Sequence, residues 1–234
     1  MEEPGHHTEF PVAMTVDFKK RVRTIHRRLV KEYGEPAPPR PVPALDELVF
    51  TILSQNTNDR NRDRAYEVLR ERFPDWAAVA RAPGGELADA IRVGGLADTK
   101  ARYIQSILRR VYDERGEYSL EFLNDLSDAE ALGYLRNLPG VGAKTTSCVL
   151  AFSLRRDVFP VDTHILRVSK RLGLLPPKTD LTKAHALWAA MVPDGLAYPL
   201  HKNIIRHGRK ICGARKRLCA ECVLADICPS AEVA

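Results

Sequence analysis

Apolar residues recur three and four positions apart along most of this chain, and nowhere is there a sustained two-residue alternation. Leu45, Leu48, Val49 and Ile52 make one stripe, and Ala65, Val68 and Leu69 begin another. Ile104, Ile107, Leu108 and Val111 form a third, and Ile165, Leu166, Val168 and Leu172 a fourth. A 3.6-residue period places such residues on one face of a helix, so the pattern predicts an all-α fold in which these stripes are core. With 234 residues the chain can bury one large core or two modest ones. The proline-rich run Glu35–Pro43 cannot be helical and separates a basic helix, expected over 16–33, from a bundle that begins near Leu45. Further breaks fall at Pro176-Pro177 and at Pro193-Asp194-Gly195.

The formal net charge is +6, and its distribution matters more than its size. Lys19, Lys20, Arg21, Arg23, Arg27, Arg28 and Lys31 follow one another with no acid among them, as do Lys202, Arg206, Arg209, Lys210, Arg215, Lys216 and Arg217. Solvated helix faces explain such runs equally well as phosphate-binding surfaces do. No apolar stretch reaches the roughly 18 residues of a membrane span. The opening Met1–Met14 is polar, lacks the layout of a secretory signal and reads as a flexible tail, which points to a cytoplasmic protein.

Ser127-Asp128-Ala129-Glu130 is a capping box, so a helix should run from there to about Arg136. It meets Leu138-Pro139-Gly140-Val141-Gly142, where proline blocks continuation and glycine permits close approach of a ligand to the backbone. A second helix should open near Ala143 and run past Phe152. The result is a helix–hairpin–helix whose exposed N–H groups suit a phosphate, although an ordinary tight connection has the same signature. Lys144 lies in the first turn of the second helix, where the helix dipole disfavours added positive charge, and a free amine there can attack a sugar carbon. A surface lysine touching phosphate is the bland alternative. Asp162 is the candidate partner carboxylate; it also fits the N-cap of a helix starting at Thr163, and the two roles are compatible.

Four of the five cysteines, Cys212, Cys219, Cys222 and Cys228, form C-x6-C-x2-C-x5-C. Four thiolates could hold zinc or an iron–sulfur cluster; structural zinc usually takes two close pairs, and only one C-x2-C pair exists here, which favours iron–sulfur. Cys148 reads as a small buried residue.

The hairpin with Lys144, the Val161-Asp162-Thr163-His164 segment and the cysteine spacing together resemble the endonuclease III family of helix–hairpin–helix DNA glycosylases, over roughly residues 15–230. The resemblance implies two helical domains with a DNA-binding groove between them. One is a six-helix barrel, 38–157, holding the hairpin at 127–154; the other, 15–37 with 158–234, is a discontinuous [4Fe–4S] domain. It implies a monomer acting on double-stranded DNA with damaged bases or abasic sites, as a bifunctional glycosylase and lyase. Lys144 would form a Schiff base, assisted by Asp162, and the substrates would be oxidised or ring-saturated pyrimidines. Gly140, Val141 and Gly142 would bind phosphate, and so would Arg215, Lys216 and Arg217 in the loop shaped by the cluster. A flipped-out nucleotide leaves a gap that wedge residues fill. The family uses a Ser-x-Gln segment for one wedge. Here Gln55 directly follows Ser54, the shorter Asn56 occupies the usual glutamine position, and both would contact DNA. Leu96, in Gly94-Gly95-Leu96-Ala97-Asp98, would be the second wedge. The alternatives are a mismatch-type glycosylase of the same superfamily, which typically lacks the lysine, and a non-enzymatic iron–sulfur protein that uses the hairpin as a clamp.

Overall fold

A computed structural model describes residues 12–39 and 41–232, with side chains from Asp17 onward. The fold is all-α: no strand occurs among the described residues, and an isolated antiparallel bridge pairs Cys212 with Arg217. No described helix is long and apolar enough to cross a membrane. The chain divides into a central unit, Pro39–Pro160, and a discontinuous unit made of 1–38 and 161–234. The boundary therefore follows Pro160, three residues beyond the expected one. Of the expected tail Met1–Met14, the last three residues are helical and the rest lies outside the described residues.

The central unit contains α2 (Ala44–Leu53), α3 (Asp59–Arg72), the short α4 (Trp76–Arg81) and α5 (Gly84–Ala90), α6 (Ala97–Arg115), α7 (Asp128–Arg136) and α8 (Ala143–Cys148). Pro83 separates α4 from α5. The first three predicted stripes supply its core: Leu48, Val49, Ile52, Leu69, Ile104, Ile107, Leu108 and Val111 are fully buried. Helix α7 starts at the expected capping box, with Ser127 Oγ accepting from the Glu130 amide and the Glu130 carboxylate accepting from the Ser127 amide. After Cys148 the helix continues as one π turn, Val149–Ser153. The wider turn accommodates one extra residue without breaking the helix.

The discontinuous unit contains α1 (Val12–Tyr33), α9 (Thr163–Arg171), α10 (Leu181–Met191) and α11 (Ala197–Lys210). Trp188 is fully buried in it, donates to Ser169 Oγ at 3.2 Å and meets the Phe18 ring edge-on at 5.7 Å. Beyond α11 the chain has two short 3-10 turns, Cys219–Glu221 and Ala225–Ile227. Much of its backbone is held by arginines. Arg21 donates to the carbonyls of Leu172 and Ile227, and Arg28 to the Val223 carbonyl and the Asp226 carboxylate. Two members of the basic run 19–31 thus face inward.

Arg156 performs the same task in the central unit, donating to the carbonyls of Leu123 and Leu126 and to Asp128 at the foot of α7. Arg156→Met keeps the stem and removes the donors, and should lower unfolding stability by about 1–3 kcal/mol. Arg155→Lys, on the exposed neighbour, should change it by no more than about 0.5 kcal/mol. Urea unfolding of the two variants checks the contrast.

Candidate active site and cysteine centre

The connection between α7 and α8 is the predicted hairpin. Gly140 has φ 73°, a left-handed conformation that favours glycine, and a Cβ placed there would lie 2.2 Å from Cδ2 of Tyr103 on α6. The hairpin is therefore pressed onto an aromatic ring and has no room for a side chain at its tip. Gly142 is the N-cap of α8 and supplies no side-chain cap, so the first-turn amides of α8 have no acceptor from the capping residue. Val141 departs from the sequence reading. Its side chain is buried in the core, and its amide donates to the Leu138 carbonyl at 3.2 Å, so neither group is available to phosphate.

Lys144 is half-buried, and its Nζ donates to Ser54 Oγ at 3.3 Å. The Ser54 hydroxyl proton is engaged by the Thr51 carbonyl at 2.6 Å, which leaves an oxygen lone pair for the amine. The sequence did not single out Ser54 as a partner of Lys144. The next residue, Gln55, is not a free wedge: its Nε2 donates to the Gly140 carbonyl at 3.0 Å and to Thr145 Oγ1 at 3.4 Å. It links the end of α2 to the hairpin. Asn56 is the outward residue of this turn, exposed and left-handed at φ 51°. The turn ends at Asn58, which caps α3 through the Asn61 amide.

Leu96 occupies the matching position ahead of α6. It is the N-cap residue, left-handed at φ 52° and 55% exposed, and α6 begins directly after it at Ala97. A large apolar side chain on a strained backbone, pointing to solvent, is an arrangement that needs outside support.

In the discontinuous unit Asp162 caps α9, its Oδ1 accepting from the Ile165 amide at 2.8 Å, as the sequence predicts. The cap uses one oxygen and fixes the carboxylate's direction. His164, two residues further, bonds Arg167, and burial draws its pKa down from the ordinary histidine value.

Cys212, Cys219, Cys222 and Cys228 line one recess with Arg171, His207, Ile211 and Arg217. Burial pushes the thiols of Cys222 and Cys228 up, and the neighbouring cysteines push in the same direction. Donors are aimed at the sulfurs: Arg171 Nη1 reaches Cys212 Sγ at 3.2 Å, and the Leu224 amide reaches Cys222 Sγ at 3.4 Å. Burial pulls His207 down to about 4, so its ring is neutral at physiological pH; its Nδ1 bonds Tyr33 Oη at 3.0 Å and its Nε2 lies 3.5 Å from Cys222 Sγ. Among the described residues no three His, Cys, Asp or Glu side chains converge on a single ion position. The loop after Cys212 is tight, since a Cβ on Gly213 would lie 2.5 Å from the Lys216 carbonyl oxygen. Arg215 and Lys216 are exposed on it, whereas Arg217 donates to the Ser230 carbonyl and pairs with Glu232. Cys148 lies in α8 and is buried, as expected.

Residues 49–191 match the model of the HhH-GPD superfamily, described as base excision DNA repair proteins. The chain belongs to that superfamily. An Arabidopsis thaliana protein provisionally named a DNA glycosylase is 42% identical over 188 residues, which is 79% of this chain and 64% of the plant protein. The match thus spans less than two thirds of that relative's length. An endonuclease III of Synechocystis is 36% identical over 188 residues, 79% of this chain and 80% of the relative. Among solved structures, a non-covalent endonuclease III–DNA complex superposes with a TM-score of 0.78 at 25% identity, covering 91% of this chain and 96% of that one. The resemblance to endonuclease III read from the hairpin and the cysteine spacing therefore holds at the level of the whole fold.

Gly140→Ala tests the hairpin packing. It imposes a left-handed alanine, costing about 1–2 kcal/mol before the clash with Tyr103 is counted. The melting temperature should fall, and adding Tyr103→Ala should recover the part due to the clash relative to Tyr103→Ala alone. A fall unaffected by the second substitution would place the whole cost in the backbone.

Proposed function

We propose that this chain is a bifunctional DNA glycosylase and abasic-site lyase that removes oxidised or ring-saturated pyrimidines from double-stranded DNA. The observation that carries the reading is the placement of Lys144 Nζ at 3.3 Å from Ser54 Oγ, beside a glycine hairpin suited to phosphate, in a member of a base excision repair superfamily. A lysine acting only as a point charge on phosphate gains by extending into solvent; this amine is instead held inward at the foot of the hairpin. Its relatives include proteins named endonuclease III, and the similar solved structures include one described as a complex with DNA.

The chemistry uses the Lys144 amine as nucleophile and a carboxylate whose direction the helix cap fixes. The Lys144 nitrogen forms a bond to C1′ of the flipped nucleotide, and the bond from C1′ to the base breaks, the base leaving with the electron pair. The Asp162 carboxylate stabilises the positive charge developing on the sugar and takes a proton from the amine. Ring opening gives an iminium that acidifies the C2′ proton. Loss of that proton expels the 3′ phosphate by β-elimination, and water then releases the enzyme. Asn56 and Leu96 fill the space left by the flipped base, the amides of Gly140 and Gly142 hold phosphate, and Arg215 and Lys216 contribute a second phosphate contact.

Cys212, Cys219, Cys222 and Cys228 fit a [4Fe–4S] cluster: four sulfurs spread around one recess suit one thiolate per iron, and N–H donors lie against two of them. When bound, the cluster would supply iron charge that stabilises the four thiolates, and it would shape the loop 213–218. Four thiolates holding a cluster should give about four irons per chain and a broad visible absorption band; a colourless protein containing zinc would remove this part of the proposal.

Borohydride should trap the protein covalently on DNA carrying a damaged pyrimidine, and Lys144→Ala should abolish trapping. Trapping that survives the substitution refutes Lys144 as the nucleophile. Asp162→Asn should leave DNA affinity largely intact and slow single-turnover base release by about 10²-fold or more, the usual scale for removing an electrostatic group. An unchanged rate reduces Asp162 to a helix cap.

A further inference from the structure

We infer that Lys100 is a positioning residue whose buried side chain ties the Asn56 turn and the Leu96 turn into one rigid, two-pronged element. What the prongs do, namely enter the DNA base stack, rests on the function proposed above; the tie between them does not.

Lys100 lies on α6, facing the core, and is 1% exposed. Its Nζ donates to the Leu53 carbonyl and to the Gly94 carbonyl, each at 2.8 Å. Leu53 ends α2 one residue before Ser54, and its carbonyl is among the orphaned acceptors of that helix end. Gly94 ends the short 3-10 turn Arg92–Gly94 that precedes Leu96. One side chain thus satisfies the backbone on both sides of a seam. The two turns are also in direct proximity: a Cβ on Gly95 would lie 4.0 Å from the Asn56 carbonyl oxygen, and one on Gly94 would lie 3.2 Å from Cβ of Ala65 on α3.

Burial alone draws the ammonium's pKa below the ordinary lysine value, with no carboxylate opposing it. A buried cation balanced only by carbonyl dipoles is costly, and an apolar side chain of the same length would serve packing as well. The return lies in the geometry it enforces. Asn56 and Leu96 are both non-glycine residues in left-handed backbone, and each such residue holds strain that relaxes unless its flanks are fixed. Gln55 fixes one flank of the first turn against the hairpin. Lys100 fixes the flank of each turn that faces the other. Strand separation by two side chains needs their spacing set before DNA arrives, because a loose pair spends binding energy on ordering itself.

The test uses the full chain and two variants. Lys100→Met removes all donors at similar length, and Lys100→Gln keeps two N–H donors on a shorter, uncharged stem. Amide hydrogen exchange should quicken in both 54–57 and 94–97 together in Lys100→Met, by about tenfold, with smaller change in the hairpin 138–145. Lys100→Gln should fall between it and the parent and carries the comparison if the Met variant does not fold. Quickening of one turn alone, of neither, or of the whole central unit equally overturns the tie.

A second readout separates positioning from general damage. Base release from a lesion-bearing duplex should fall about tenfold in Lys100→Met, while cleavage of an abasic site in single-stranded DNA, which needs no wedge, should stay within about twofold. Equal losses on both substrates overturn the positioning role. If Asn56→Ala with Leu96→Ala leaves duplex base release unchanged while the exchange result stands, the proposed use of the prongs fails and the tie survives.

Discussion

The ammonium of Lys100 rests on the carbonyls of Leu53 and Gly94, and the outward features of the central unit are arranged from that point. The four residues from Leu53 onward contribute in succession. Leu53 accepts from Lys100, Ser54 accepts from Lys144, Gln55 donates to Gly140, and Asn56 faces solvent. A short segment at one helix end therefore touches the lysine of the hairpin, the hairpin tip and the neighbouring turn. Helices leave their last carbonyls without partners, and an all-α chain has no sheet to absorb them. This protein meets that demand with cationic side chains. Arg156 serves the turn before α7; Arg21, Arg167 and Arg171 serve the loops around the cysteines.

That use of cations changes the meaning of the net charge. The basic runs 19–31 and 202–217 look alike in sequence, yet their members divide by direction. Arg21 and Arg28 are tied to backbone around the cysteine recess, and Arg206 lies over the Tyr33 ring and donates to its carbonyl. Arg217 is tied to the last described residues. Arg215 and Lys216 remain outward. A charge footprint counted from composition would overestimate the surface offered to a polyanion, because part of it is internal scaffolding.

The helix stripes, the capping box at Ser127, the cap at Asp162 and the glycine hairpin were all legible, because each depends on local periodicity or on side chains within three or four residues. The sequence reading failed where the deciding partner is distant. Gln55 read as a DNA contact, yet its side-chain amide is bound to Gly140, 85 positions away. Val141 read as a phosphate contact, but its apolar side chain is core and its amide closes the turn. The π turn after Cys148 left no trace, since one additional residue shifts a helical stripe by less than the width of an apolar face. Lys100 did leave a signal that went unused: it shares the face of Ile104, Ile107 and Val111, so a lysine stands on an otherwise apolar stripe. Ser54 left none, because its importance comes only from the approach of Lys144.

Leu96 and its counterpart Asn56 place this protein at odds with its own stability. Glycine at either position would relieve the left-handed backbone, and at position 96 it would also remove an exposed apolar surface. Selection for a sturdier molecule would therefore erode the two tips first, and it would do so without disturbing the core. A version of this chain improved by consensus or by thermal screening would have to hold these positions fixed, since the sites easiest to improve are those where the molecule reaches outside itself.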